Sequence, residues 1–174
     1  MIVESVDRPG SRLLRAGPLT AAGFAPFGEV IRPEGGRVSA VNDGRALRYD
    51  DLASLAHATG AERPVLSLYR VRPSERPFQA QVFECHPLSS QVFLPMADAE
   101  FLVVVAPDRD GSPDLDRAEA FVPGRRTGIH YRPGIWHVPL AAFGSEAVFA
   151  MLMWEAGAAD TVEHRLTVPL VIEL

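Results

Sequence analysis

Proline, glycine and aspartate cut this chain into short apolar runs, and that punctuation leaves it little choice but a β fold. Roughly eight such runs, rich in Val, Phe and Leu, cover residues 64–72, 78–86, 91–95, 101–107, 118–122, 136–143, 147–154 and 167–174. Each is of strand length and is bounded by residues that start turns. Residues 101–106 and 147–154 are apolar at successive positions, so both faces of those strands are expected to be buried. The helix–strand alternation that builds a parallel sheet is absent. The expectation is an all-β sandwich or jelly-roll barrel with one or two short helices. Thr20 is placed to cap a single helical turn through Phe24. Residues 50–59 read as a second short helix, opened by Asp50 or Asp51 and ended by Gly60. Residues 1–18, with Pro9-Gly10 and Gly17-Pro18, read as an irregular lead-in to a single domain spanning 1–174.

A length of 174 residues suits one domain with a sizeable core. The net charge of -5, with no basic run to offset it, argues against nucleic acid and anionic membranes as partners. Residues 1–15 lack the apolar core of a signal peptide, and no stretch approaches the ~20 apolar residues of a membrane span. The single cysteine, Cys85, permits no internal disulfide and reads as a small buried apolar residue, which fits a cytoplasmic setting. Lysine is absent: all 17 basic residues are arginine. That excludes Schiff-base chemistry through a lysine and a Walker-type phosphate loop. Whatever holds a substrate anion must be an arginine, a metal ion or backbone amides.

Two segments carry polar groups in a setting that otherwise reads as buried strand. The first, residues 83–96, is FECHPLSSQVFLPM. Glu84 and His86 are two apart, so on a strand both side chains leave the same face, while Cys85 leaves the other. Residues 87–90 read as a turn, and Gln91 opens the next strand. The second, residues 128–140, is GIHYRPGIWHVPL, where the Pro133-Gly134 turn sets Trp136 and His137 at a strand start. Glu84, His86, Gln91 and His137 are therefore expected to converge in one cavity. A carboxylate on the inner face of a barrel needs a cation, a donor or a raised pKa.

Further candidates for binding substrate are His130, Asn42, Arg48 and Arg70. His130 and Arg132 are two apart and can share a face. Arg70 lies in the apolar run VLSLYRVR, where an inward guanidinium calls for an anion. Arg48 stands beside Tyr49. Either arginine can offer a carboxylate a two-pronged hydrogen bond, and the alternative for each is a surface arginine covering apolar neighbours. Trp136 reads as an aromatic that plugs the barrel, with substrate contact as its second reading. His57 and His164 read as solvated, and Glu155 and Asp160, flanking Gly157, as loop charges.

Taken in order, F-x-x-F-G (residues 24–28), R-Y-D-D-L-A (48–53), E-C-H-P-L-x-x-Q-x-F-x-P-M (84–96), P-D-L (113–115), A-F-V (120–122) and W-H-x-P-L (136–140) resemble the ureidoglycolate lyase family. The resemblance runs from about residue 19 to about residue 168. It implies a cupin-like double-stranded β-helix, usually a homodimer, that splits ureidoglycolate into glyoxylate and urea late in purine and allantoin breakdown. Cupins often hold a metal on histidines and a glutamate. Here those slots fall on Glu84, His86, Gln91 and His137, with a glutamate in the first histidine slot and a glutamine in the glutamate slot, a mixed set that could hold a divalent ion such as nickel or zinc less tightly than three histidines would. On this reading His137 or His86 is the base, Glu84 and Gln91 orient substrate or ligate metal, and Arg48 or Arg70 binds the carboxylate with Asn42 nearby. The competing readings are another small-carboxylate cupin enzyme (an isomerase, or a hydrolase that releases ammonia) and a non-catalytic sensor of a small acid.

Overall fold

The strand Glu100–Ala106 shows how the chain builds its layers. Phe101, Val103 and Val105 enter one buried cluster, while Leu102, Val104 and Ala106 enter another. Alternation at period two thus puts one strand between two cores, which is why its sequence is apolar throughout. The computed structural model describes residues 12–156 and 160–174.

Two sheets make up the body. The larger runs in the order Arg12–Arg15, Val162–Glu173, Phe78–Cys85, Trp136–His137, Glu100–Ala106, Glu119–Val122 and Gly17–Pro18, with Ala141–Phe143 also pairing with Glu100–Ala106. The smaller runs Gly28–Ile31, Gly128–Tyr131, Gln91–Pro95, Ala147–Glu155 and Arg63–Val71. Its ladders are all antiparallel. The first core cluster, with Phe24, Phe93, Phe101, Ile129, Phe149 and Met151, draws on both sheets and fills the barrel. The second, with Phe83, Trp136, Leu170 and Ile172, backs the larger sheet. Gly28 packs so closely on the neighbouring strand that a Cβ there would lie 1.7 Å from the His130 carbonyl oxygen, so glycine alone fits at the end of F-x-x-F-G.

The expected all-β barrel is present. Among the described residues the only α-helix is Ala21–Phe24, capped by Thr20, whose hydroxyl accepts from the Gly23 N–H at 3.1 Å. The helix expected over residues 50–59 does not form. Asp51 takes a left-handed φ of 61°, which stops the backbone before a helical turn can start. The segment instead spends its backbone groups on the turn after His86: the Ala58 N–H donates to the Leu88 carbonyl, and the Ser90 N–H to that of Ala56. The run expected at 136–143 breaks into Trp136–His137 and Ala141–Phe143, with Pro139, which has no N–H for a ladder, between them. Part of the expected lead-in is strand: Arg12–Arg15 and Gly17–Pro18 join the larger sheet in parallel. Pro9-Gly10 lies outside the described residues.

Candidate functional site

Strand parity aims Glu84 into the barrel. On Phe78–Cys85, Phe83 and Cys85 enter the second core, so Glu84 must leave the opposite face. Its partner across the ladder is His137, which in turn pairs with Val105 of the first core. Directly opposed residues share a face, so Glu84 and His137 stand side by side on the inner wall. His86 follows just beyond the strand end. The Pro133-Gly134 turn, with Gly134 at φ 80°, donates its Gly134 N–H to the His86 carbonyl at 2.9 Å and so holds the two histidine-bearing segments together.

One ligand atom from each of Glu84, His86 and His137 lies within 4.8 Å of the others. His86 Nε2 is 3.9 Å from Glu84 Oε2, and the two imidazoles are 5.3 Å apart between ring centres. His86 Nδ1 donates to the Asp160 carbonyl at 2.8 Å, and His137 Nδ1 to the Ile135 carbonyl at 3.0 Å. A carbonyl oxygen can only accept, so each Nδ1 carries a proton, and in the neutral form of either ring the lone pair is on Nε2. His86 Nε2 is buried without a partner. Tyr131 stacks on His137 with ring centres 4.3 Å apart. The adjoining cavity, of about 70 Å³, is lined by Glu84, Gln91 and His137, by Tyr69 and Tyr131, and by apolar groups from Phe93 and residues 138–140. The Gln91 Oε1 atom is buried without a donor.

Burial sets the electrostatics. It raises the Glu84 carboxyl above its ordinary range, with Glu163 adding to the rise and His86 opposing it. It depresses His137 to about 3, helped by His86, so this imidazole stays neutral. The Tyr69 and Tyr131 hydroxyls are raised by burial and then by Glu84, and both remain protonated donors.

The other candidates lie elsewhere. His130 is buried, but its neighbours Ile129 and Tyr131 take the inward positions, so it faces outward. There Nδ1 pairs with the Glu29 carboxylate, which also accepts from Arg132 Nη2 at 2.8 Å. Trp136 backs the larger sheet and donates from Nε1 to Asp108 at 2.8 Å. Arg48 is exposed on the hairpin Arg37–Val41/Ala46–Asp50 and pairs with Asp50 at 3.1 Å. Asn42 sits in that hairpin's turn, at φ 54°. Arg70 is exposed beside Glu146 at 3.5 Å. Among the described residues, no arginine lines the cavity. Three contributors escaped the sequence reading. Tyr131 was legible: once Ile129 is inward, so is Tyr131. Tyr69 lies one residue before Arg70, on the opposite, inward face. Asp160, read as a loop charge, is fully buried, and nothing local to it signals that.

The model of a family described as ureidoglycolate lyase matches residues 11–173. A ureidoglycolate lyase of Burkholderia mallei (strain NCTC 10229) is 41% identical over 135 residues, covering 78% of this chain and 78% of that protein. One from Azotobacter vinelandii (strain DJ / ATCC BAA-1303) is 35% identical over 153 residues, covering 88% and 92%. Among solved structures, a dTDP sugar isomerase from Desulfovibrio desulfuricans G20 is similar at 19% identity and a TM-score of 0.48, over 80% of this chain and 82% of that one.

Proposed function

This chain belongs to the ureidoglycolate lyase family, and from that premise we propose that it splits ureidoglycolate into glyoxylate and urea at the cavity beside Glu84, His86 and His137. The observation that carries the reading is the meeting of one carboxylate and two imidazoles beside a cavity that Glu84 and His137 line. Ureidoglycolate is a carbinolamine, so its cleavage needs no covalent intermediate. The hydroxyl proton leaves, its electron pair forms the aldehyde, and the C–N bond breaks toward a urea nitrogen that gains a proton. Glu84 is suited to take the first proton and return it to the departing nitrogen, since burial makes it a stronger base than a solvated glutamate. The depressed His137 is a weak base, which moves that role away from His137. Gln91 Oε1 offers an acceptor to a urea N–H. The Tyr69 and Tyr131 hydroxyls are available to donate to the substrate carboxylate, and the apolar wall from Phe93 to Leu140 excludes water.

The donor set also fits a divalent metal such as nickel or zinc. Each imidazole has its Nδ1–H fixed on a carbonyl and presents Nε2, the usual arrangement of a ligating histidine. Glu84, His86 and His137 would hold the ion, with Gln91 in reach as a neutral fourth donor. When bound, it would polarise the substrate's oxygen atoms as a Lewis acid.

The working form on this reading is a cytoplasmic homodimer of a single-domain chain. Supporting a second copy, Leu66 (73% exposed) and Leu68 (68%) share the outer face of the smaller sheet with Leu94. Incubating purified protein with racemic ureidoglycolate, with and without chelator, tests the reaction. Urea and glyoxylate in equal amounts are expected. Ammonia in place of urea would make the chain a hydrolase, and binding without turnover would make it a sensor.

A further inference from the structure

We infer that Asp160 is a positioning residue for His86: its carboxylate anchors the turn after His86, and its own carbonyl sets which ring nitrogen faces Glu84. The inference deepens the reading of the site given above and rests on His86 belonging to it. Asp160 is 1% exposed, and a buried carboxylate is costly unless its lone pairs are used. They are used on one short segment. The Leu88 N–H donates to Oδ1 at 2.7 Å, and the Ser89 hydroxyl donates to Oδ2. The carbonyl oxygen of the same residue takes the His86 Nδ1 proton at 2.8 Å. One residue, remote in sequence, is therefore bonded to His86, Leu88 and Ser89 at once. The turn is held independently on its far side, where the Ala56 N–H donates to Ser90 Oγ at 3.0 Å and the Ser90 N–H returns to the Ala56 carbonyl at 2.9 Å.

The consequence is chemical. With Nδ1 committed to a carbonyl, the neutral His86 ring keeps its lone pair on Nε2, which is buried without a hydrogen-bond partner 3.9 Å from Glu84. Remove the carboxylate, and the loop that carries the carbonyl is released from the turn. Nδ1 then loses its fixed acceptor, and the ring proton can move to Nε2. That tautomer turns an N–H toward Glu84 where the site needs a lone pair, and the N–H would occupy the carboxylate. His137 is an internal control, because its Nδ1 bond to Ile135 is local to its own strand.

The test reads histidine tautomers by long-range nitrogen–proton correlation spectra of the chelator-treated protein, with His86→Gln assigning the signal. Wild type should show Nδ1–H at both His86 and His137. Asp160→Ala should convert His86 to a mixture containing Nε2–H and leave His137 unchanged. With ureidoglycolate, kcat should fall about 10–100-fold with KM little altered, the usual size for loss of a ring's outer hydrogen-bonding partner. Asp160→Asn keeps one acceptor for the turn and should fall between. If Asp160→Ala does not fold, Asp160→Asn and Ser89→Ala carry the test, with the same direction and a smaller change. A folded variant whose His86 stays entirely Nδ1–H would overturn the inference. So would a change at both histidines together, which would mean general loosening of the site. The tautomer is read without substrate or metal, so it stands or falls separately from the proposed reaction.

Discussion

The barrel sets buried imidazoles against half-buried carboxylates on its two opposite faces, and the two groups are built on opposite rules. Inside, His86 and His137 give their Nδ1 protons to backbone carbonyls, which leaves the Glu84 carboxylate uncommitted at the cavity. Outside, His130 gives its Nδ1 proton to Glu29, and Arg132 binds the same carboxylate. Burial lowers His130 as it lowers His137, and both His86 and His130 have an unpartnered Nε2. Burial and an orphan nitrogen therefore do not separate a working histidine from a structural one. What separates them is whether the neighbouring carboxylate is already spent. Glu29 is neutralised by a guanidinium and ties Gly28–Ile31 to Gly128–Tyr131, whereas Glu84 is half-buried with Glu163 beside it and remains available to accept a proton.

The contrast is broken most sharply by removing the inner carboxylate. Glu84→Gln should lower kcat by about 10²–10⁴-fold, the range for general acid–base help, with the fold retained by circular dichroism. His130→Ala should do the reverse. Urea release should persist, while denaturant unfolding shows a loss of about 1–3 kcal/mol as the half-buried Glu29 is left with one fewer partner. A variant that loses turnover and keeps its stability would move His130 into the site and end the distinction.

Acid pH sharpens it next. The His137 folded pKa of about 3 lies below its ordinary 6.5, so below pH 6.5 the unfolded chain binds the proton that the folded chain refuses. Stability attributable to His137 is complete above about 6.5 and is lost as pH falls toward about 3. Glu84 runs the other way: with its folded pKa raised, the folded state binds its proton more readily, and stability falls as pH rises through that window. Chelated His137→Gln should thus show a flatter acid limb in urea melts than wild type. An unchanged limb would mean that His137 is accessible to protons. The smallest effects are expected at the arginines. Arg48→Met and Arg70→Met, both exposed and paired at the surface, should leave KM within about twofold. A large rise at either would mean that a guanidinium reaches the cavity from outside this chain's own barrel.

Period two and turn chemistry made much of this legible before any coordinates. They placed Glu84 opposite in sense to Cys85, made residues 101–106 a strand with two buried faces, and brought Glu84, His86, Gln91 and His137 into one expected cluster. Where the reading failed, a distant contact had outbid a local preference. Residues 50–59 carry helix signals, but their backbone groups are taken by Leu88 and Ser90. Arg70 looked like an expensive inward charge because its strand is apolar, yet that strand is the edge of its sheet, and its outward face meets solvent.

Parity along a strand follows from the extended backbone alone, so once a segment is strand its sequence determines which side chains share a face: Glu84 away from Phe83 and Cys85, Tyr131 away from His130. Which face is the cavity, and what the His86 ring proton is bonded to, came only from the tertiary structure. Those facts depend on pairings between strands far apart in the chain, such as His137 with Glu84, and on the bond from Asp160 to His86. No local pattern encodes them, because a hydrogen-bond acceptor for a buried ring is chosen by whichever backbone the completed fold brings within reach.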